Sequence, residues 1–200
     1  MNTLEYYGQR VGAFCRPFKQ GTWIKQYHLT NRSGVCDACS IVYLAFMRQN
    51  ISFGTEMTKA ATMAYVDKLQ TVLERPDNLP GSNPVVPRRV EMGYAVVSFT
   101  VDEAKGAWKS PYKELAEFIT GKAGYYHVCL PNHACAAVKL LDGRVKFFDP
   151  NYGDAMFADK TKFGHFIYAF LHDRNVMRNY ELAEGGTVSA VSVQVKKRGA

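Results

Sequence analysis

The chain has 200 residues, of which 47% are hydrophobic and 22% charged, and its formal net charge is +7 at pH 7. This length and composition are typical of one globular domain with its own hydrophobic core. No apolar run approaches the ~20 residues that span a bilayer, and we expect no cleavable signal peptide, because the first residues lack its basic and apolar regions. Lys and Arg are scattered without a recognisable motif, so nucleic-acid binding is not favoured.

Five cysteines are an odd number without the spacing of a small disulfide-linked scaffold. We therefore expect free thiols in a reducing compartment. The positive charge is compatible with attraction to an anionic membrane surface. We expect a monomer that needs no cofactor and no metal.

The first thirty residues are polar and aromatic without a clear period, which predicts extended or irregular structure. Residues 36–50, CDACSIVYLAFMRQN, follow Ser33, a good helix N-cap, and contain neither Gly nor Pro. Their apolar residues leave almost no polar face, which predicts a helix that runs through the core. A second helix is predicted for residues 55–74, and a proline-rich surface loop for residues 75–87.

The second half of the chain is rich in strand patterns. Residues 94–99 predict a strand, and residues 102–120 a helix that breaks before Pro111. Three further strands are predicted in GYYHVCL, HACAAVKLL and RVKFFD, and the chain ends with a helix over 161–174 and a strand in TVSAVSVQV.

An internal helix followed by an antiparallel sheet is an α+β arrangement. We predict a single domain over residues 1–200, with residues 1–30 and 185–200 at its periphery.

The CxxC formed by Cys36 and Cys39 allows three hypotheses: a redox dithiol, half of a zinc site, or a nucleophile with an incidental neighbour. A redox dithiol is disfavoured because no βαβ unit precedes it. Structural zinc sites usually pair two ligand couples on loops or turns. The second couple here would come from strand-like segments, so zinc is also disfavoured; its candidate ligands are His127, Cys129, His133 and Cys135.

A nucleophile at Cys36 fits the start of a helix, where unpaired N–H groups and the macrodipole favour a thiolate. Asp37 opposes this effect, so a cationic partner is needed, and a histidine also protonates the leaving group. Cys39 is then a small packing residue.

His133 is the histidine with a candidate orienting carboxylate. The Asp-Gly pair at 142–143 predicts a β-hairpin. A two-residue turn would place His133 and Asp149 on opposite faces of the hairpin. A three-residue turn at 141–143, with its glycine in the left-handed conformation, places Asp149 opposite Cys135 and within reach of the imidazole. The triad hypothesis therefore predicts the three-residue turn.

Three blocks resemble the YopT/AvrPphB-like bacterial cysteine protease effectors, a papain-like family: SGVCDACSIVYL, HACAAVKL and FFDPNYG. The resemblance implies a papain-like fold with the nucleophile on a buried central helix packed against an antiparallel sheet that carries His and Asp. It implies Cys36 as nucleophile, His133 as general base and acid, and Asp149 as the orienting group. It also implies an oxyanion hole formed by the Asn31 amide and the backbone N–H of Cys36.

The resemblance further implies an endopeptidase that is secreted by a bacterium without a cleavable signal peptide and cuts a host protein in the host cytosol through a thioacyl-enzyme. The same triad is compatible with transglutamination or glutamine deamidation, since these reactions share the acyl-enzyme. The second alternative is a non-catalytic zinc or protein-binding module.

Overall fold

A computed structural model describes residues 1–74, 89–91, 95–105, 111–182 and 188–197, with only the backbone described between 89 and 105. In these residues the helices are α1 (Thr3–Arg10), α2 (Gln20–Gln26), α3 (Cys36–Gln49), α4 (Phe53–Glu56), α5 (Ala60–Leu73), α6 (Pro111–Gly121), α7 (Lys160–Leu171) and α8 (Arg174–Asn179). The strands are β1 (Phe14–Pro17), β2 (Arg89–Glu91), β3 (Ala95–Lys105), β4 (Gly124–Leu130), β5 (His133–Lys139), β6 (Val145–Asp149), β7 (Gly153–Phe157) and β8 (Ser189–Lys197).

The central helix α3 confirms the core helix predicted from its apolar sequence, because every residue from Ala38 to Phe46 is buried. Its N-cap is Val35 rather than the predicted Ser33, since helical backbone angles begin only at Cys36. The cap is supplied from another helix: the N–H of Ala38 donates to Oε1 of Gln70 in α5 at 3.0 Å. This contact fixes the start of α3 to its neighbour.

The strands form one antiparallel sheet in the order β1-β7-β6-β5-β4-β8-β3-β2. One face of the sheet packs on α3, which in turn packs on α5, and the other face packs on α1, α6 and α7. The predicted α+β class is therefore confirmed. In the described residues no helix has the length and apolar character to cross a bilayer.

The β5–β6 hairpin has the register that the triad hypothesis requires. Ala136 pairs with Phe148, and the N–H of Leu140 donates to the carbonyl oxygen of Arg144 at 2.9 Å. Three residues therefore form the turn, and Gly143 adopts a φ of +93°, a region that favours glycine. The predicted three-residue turn is confirmed.

The prediction of irregular structure for residues 1–30 is wrong. Asn2 and Glu5 form a capping box that starts α1, and Leu4 is fully buried. Such a short helix has too few turns for its period to emerge from the sequence, but its local cap and its burial stabilise it. This segment is therefore part of the core, not its periphery.

Strand β1 extends the sheet by pairing with β7. The two strands approach closely at Gly153, where a Cβ atom would overlap the carbonyl oxygen of Arg16 and φ is +125°. Only glycine suits this position.

Strand β8 lies between β3 and β4 in the sheet, so the described part of the predicted C-terminal periphery is internal. The helix predicted from residue 102 is also wrong in its first turn, because β3 continues to Lys105 by pairing with β8. From Pro111 onward the predicted helix is confirmed as α6. The predicted loop at 75–87 lies outside the described residues.

Candidate functional site

The three residues of the predicted triad come together at one end of the sheet. His133 begins β5 and Asp149 ends β6, and these ends coincide because the strands are antiparallel. Nε2 of His133 lies 3.1 Å from Oδ1 of Asp149, with side-chain exposures of 3% and 0%. Cys36, the first residue of α3, lies close enough to the His133 ring to contribute to its raised pKa.

The protonation of His133 follows from these two neighbours. Burial lowers the pKa of His133, but the charge of Asp149, their hydrogen bond and the interaction with Cys36 together raise it to about 9. The ring is therefore an imidazolium at neutral pH. Because Asp149 occupies Nε2, Nδ1 is the ring nitrogen that remains for the Cys36 thiol.

Asp149 is fully buried, yet its carboxylate is surrounded by donors. Besides the His133 ring, it accepts hydrogen bonds from the N–H of Asn151 at 2.8 Å, from the hydroxyl of Tyr180 at 2.9 and 3.0 Å, and from the thiol of Cys135 at 3.5 Å. A buried carboxylate without such partners would be strongly destabilised. These donors keep the charge next to His133.

Tyr180 also contacts His133 directly, and no sequence motif indicates it. Its ring stacks on the imidazole with centroids 4.1 Å apart and an interplanar angle of 8°. Burial and the Asp149 charge raise the pKa of Tyr180, so the hydroxyl stays protonated and donates. Tyr180 follows α8 and belongs to no motif, so only tertiary structure identifies it.

Gln20 is a second residue that the sequence analysis missed. Its side chain is buried, with Oε1 accepting from the N–H of Val35 at 2.7 Å and Nε2 donating to Oδ1 of Asn151 at 2.8 Å. Gln20 thereby connects the residue before Cys36 to the loop after Asp149. It lies in α2, within the segment predicted to be irregular.

Asn31 lies in a different network from the one expected. Its Nδ2 is within hydrogen-bonding distance of the carbonyl oxygen of Asp67 at 2.7 Å, of Oδ1 of Asp67 at 2.7 Å and of Oγ1 of Thr71 at 3.0 Å. These contacts anchor the loop before α3 to α5 and occupy the amide hydrogens. The predicted oxyanion role for Asn31 would require them to break, and it stays a prediction.

The zinc hypothesis fails on the geometry of the β4–β5 hairpin. His127 pairs with Ala136, whereas His133 pairs with Leu130. Directly opposed residues share a face and successive residues alternate. The His-x-Cys couples of the two strands therefore point to opposite faces, and the predicted ligand set does not form.

The described residues contain one cluster close enough for a metal ion, namely His133, Cys135 and Asp149, whose ligand atoms lie within 4.8 Å of one another. Burial, followed by the charge of Asp149, raises the pKa of Cys135 well above its usual value. The Cys135 thiol therefore stays protonated and donates a hydrogen bond to Asp149. Cys135 is also fully buried, so it is not placed to act as a nucleophile.

The sequence profile of the Peptidase C58 family, described as Yersinia/Haemophilus virulence surface antigen, matches residues 82–196. That range contains His133 and Asp149 and begins after Cys36. No curated protein matches the chain in sequence.

Similar solved structures include a viral protease, a bacterial avirulence protein and a protease-like toxin domain. The ubiquitin-specific protease of murine cytomegalovirus tegument protein M48, solved with a ubiquitin-based suicide substrate, has a TM-score of 0.59 at 12% identity over 94% of this chain and 88% of that one. Pseudomonas avirulence protein AvrPphB has a TM-score of 0.48 at 19% identity, over 82% of this chain and 93% of that one. The cysteine protease-like domain of Photorhabdus asymbiotica toxin PaTox has a TM-score of 0.47 at 11% identity, over 98% of this chain and 56% of that one. The first likeness supports the papain-like fold.

Proposed function

The chain belongs to the Peptidase C58 family and is a papain-like cysteine protease, and we propose that it is an effector-type endopeptidase with a Cys36–His133–Asp149 triad. The observation that carries the proposal is the His133 ring, held by a buried carboxylate at 3.1 Å and in contact with the thiol at the start of α3. A nucleophile, a base and an orienting group in this order are what thiol proteolysis requires.

In the proposed reaction the Cys36 thiolate attacks the carbonyl carbon of a peptide bond. The His133 imidazolium then gives its proton to the leaving amine as the C–N bond breaks, which leaves a thioacyl-enzyme. Neutral His133 next removes a proton from water, the hydroxide attacks the thioester, and the C–S bond breaks to release the acid product. Cys36 leaves as a thiolate beside the His133 imidazolium, which restores the starting state. Asp149 keeps the ring aimed through both steps.

The oxyanion of each tetrahedral intermediate needs donors near Cys36. The backbone N–H of Cys36 is one, because the first N–H groups of a helix have no acceptor within the helix. For the second we propose Gln20, whose Nε2 has another hydrogen besides the one given to Asn151. Its amide contacts the Val35 peptide directly before the nucleophile. Asn31 remains the alternative donor.

We propose that the substrate is a host protein and that cleavage occurs in the host cytosol, where the free thiols stay reduced. The net charge of +7 is compatible with a substrate held at an anionic membrane surface. Transglutamination and glutamine deamidation share the thioacyl-enzyme and differ only in the second nucleophile or in the bond attacked.

Mass spectrometry of host-cell lysate treated with the wild-type protein and with Cys36→Ala tests the proposal. New N-termini that appear only with the wild type support proteolysis. Glutamine converted to glutamate, or joined to an amine, identifies one of the two alternatives. If the two proteins produce the same peptides, with no new N-terminus or modified glutamine specific to the wild type, the result contradicts the triad. Labelling of Cys36 by a ubiquitin-based suicide substrate would narrow the substrate to ubiquitin-like proteins.

A further inference from the structure

A second cysteine–histidine–aspartate cluster lies on the opposite face of the sheet from His133. Nδ1 of His127 is 3.3 Å from Sγ of Cys129, and its Nε2 is 2.9 Å from Oδ1 of Asp37. His127 and Cys129 belong to β4, and Asp37 is in the first turn of α3. The imidazole thus stands between a thiol and a carboxylate.

The electrostatics of this cluster favour a charged ring. Burial lowers the pKa of His127, but the charge of Cys129, the short contacts with Asp37 and Cys129 and the charge of Asp37 raise it to about 9. The side chain of His127 is 3% exposed, so its positive charge is weakly screened and acts on the adjacent sulfur. The ring is therefore placed to stabilise negative charge that develops on the Cys129 sulfur during a reaction.

Access together with a histidine partner distinguishes Cys129 from the other thiols that the proposed mechanism does not use. Cys129 is partly exposed, whereas Cys39 and Cys135 are fully buried and burial raises the pKa of both well above the usual value. Cys15 is partly exposed, but burial, Glu5 and Asp154 raise its pKa to about 11. Cys129 alone among these four combines access with a histidine partner.

We propose that Cys129 is a second reactive thiol and a modification site for small disulfides such as glutathione disulfide. The Cys129 thiolate attacks one sulfur of the disulfide, whose S–S bond breaks as a mixed disulfide forms. The other half leaves as a thiolate and takes a proton from solvent. Cys129 is oxidised and the small disulfide is reduced. The His127 imidazolium stabilises the attacking thiolate, and Asp37 orients the ring.

The experiment uses the full chain carrying Cys36→Ala, so that its result does not depend on the proposed protease mechanism. The protein is incubated with glutathione disulfide, and the adduct on each remaining cysteine is measured over time by peptide mass spectrometry. We expect Cys129 to form the adduct about tenfold or more faster than Cys15. Equal rates, or a slower rate at Cys129, would overturn the proposal.

His127→Gln, added to this protein, is expected to slow the adduct at Cys129 about tenfold. His133→Gln is the matched control, and it should leave the Cys129 rate unchanged. If His127→Gln prevents folding, as judged by circular dichroism, Asp37→Asn replaces it and should slow the same adduct while preserving the side-chain shape. An unchanged Cys129 rate in the folded variant would contradict the role of the histidine and the proposal with it.

Discussion

The clusters around His133 and His127 contain the same three residue types. The two histidines lie on neighbouring strands, β4 and β5, but face opposite sides of the sheet. In both, the carboxylate lies about 3 Å from Nε2 and the pKa of the ring is raised to about 9. They differ in the carboxylate. Asp149 is fully buried among four donors, while Asp37 is 19% exposed on the first turn of α3.

This difference indicates that a cysteine, a histidine and an aspartate in contact do not by themselves define a proteolytic site. In the His133 cluster Tyr180 stacks on the imidazole, and Gln20 joins the residue before the nucleophile to the loop after the carboxylate. Such supports keep a catalytic geometry fixed through a reaction.

The largest expected effect is on kcat, and it differs between variants of the His133 cluster and variants of the His127 cluster. Cys36→Ala and His133→Ala should each lower kcat by about 10⁴-fold or more, because each removes a group that acts in the chemical step. The matched variants Cys129→Ala and His127→Gln should stay within about tenfold of the wild type. Assays on a substrate identified in lysate measure this, and an inactive Cys129→Ala protein that is still folded would reverse our assignment of the two clusters.

Gln20→Ala should lower kcat by about 10²- to 10³-fold, the usual effect of removing an oxyanion donor. Asn31→Ala is the matched control, and we expect it mainly to reduce the free energy of unfolding, by about 1–3 kcal/mol, since it leaves Asp67 with fewer donors. Steady-state kinetics and urea denaturation of both variants distinguish the two amides. If Asn31→Ala lowers kcat more than Gln20→Ala does, the second oxyanion donor is Asn31 rather than Gln20.

Tyr180→Phe keeps the stacked ring and removes the hydroxyl that donates to Asp149 at 2.9 Å. A hydrogen bond to a charged group contributes about 1.5–3 kcal/mol, so we expect a loss of about ten- to hundredfold in kcat with little change in KM. The alkaline limit of the pH–rate profile should move as well, because the charge beside His133 loses a donor. Tyr168→Phe, at a tyrosine that is 61% exposed, is the control and should have wild-type kinetics.

The smallest effect concerns stability at alkaline pH. Both histidines have a pKa raised from 6.5 to about 9, so their stabilisation is complete below about pH 6.5 and is lost as the pH rises through about 9. The free energy of unfolding should therefore fall with rising pH in this window. In His127→Gln the fall should be smaller, and urea denaturation at about pH 7 and about pH 10 measures the difference. An identical fall in both proteins would mean that His127 does not carry this charge.

The parts of the site that sequence patterns predicted depend on local structure. The apolar run after Cys36 predicts a buried helix, and the Asp-Gly turn together with strand alternation predicts the register that joins His133 to Asp149. Tyr180 could not be predicted in this way, because it reaches Asp149 only through the packing of α7 and α8 against the sheet. Gln20 was missed for a related reason, since α2 is a short helix whose importance lies in its tertiary contacts.

The close approach of β1 to β7 at Gly153 has a consequence for the outer edge of the sheet. A side chain at this position would lift β1 away and leave the backbone N–H and C=O groups of β7 exposed. An open strand of this kind is a template for another chain, through domain swapping or aggregation. The absence of one Cβ atom at Gly153 therefore keeps the edge of β7 paired with β1.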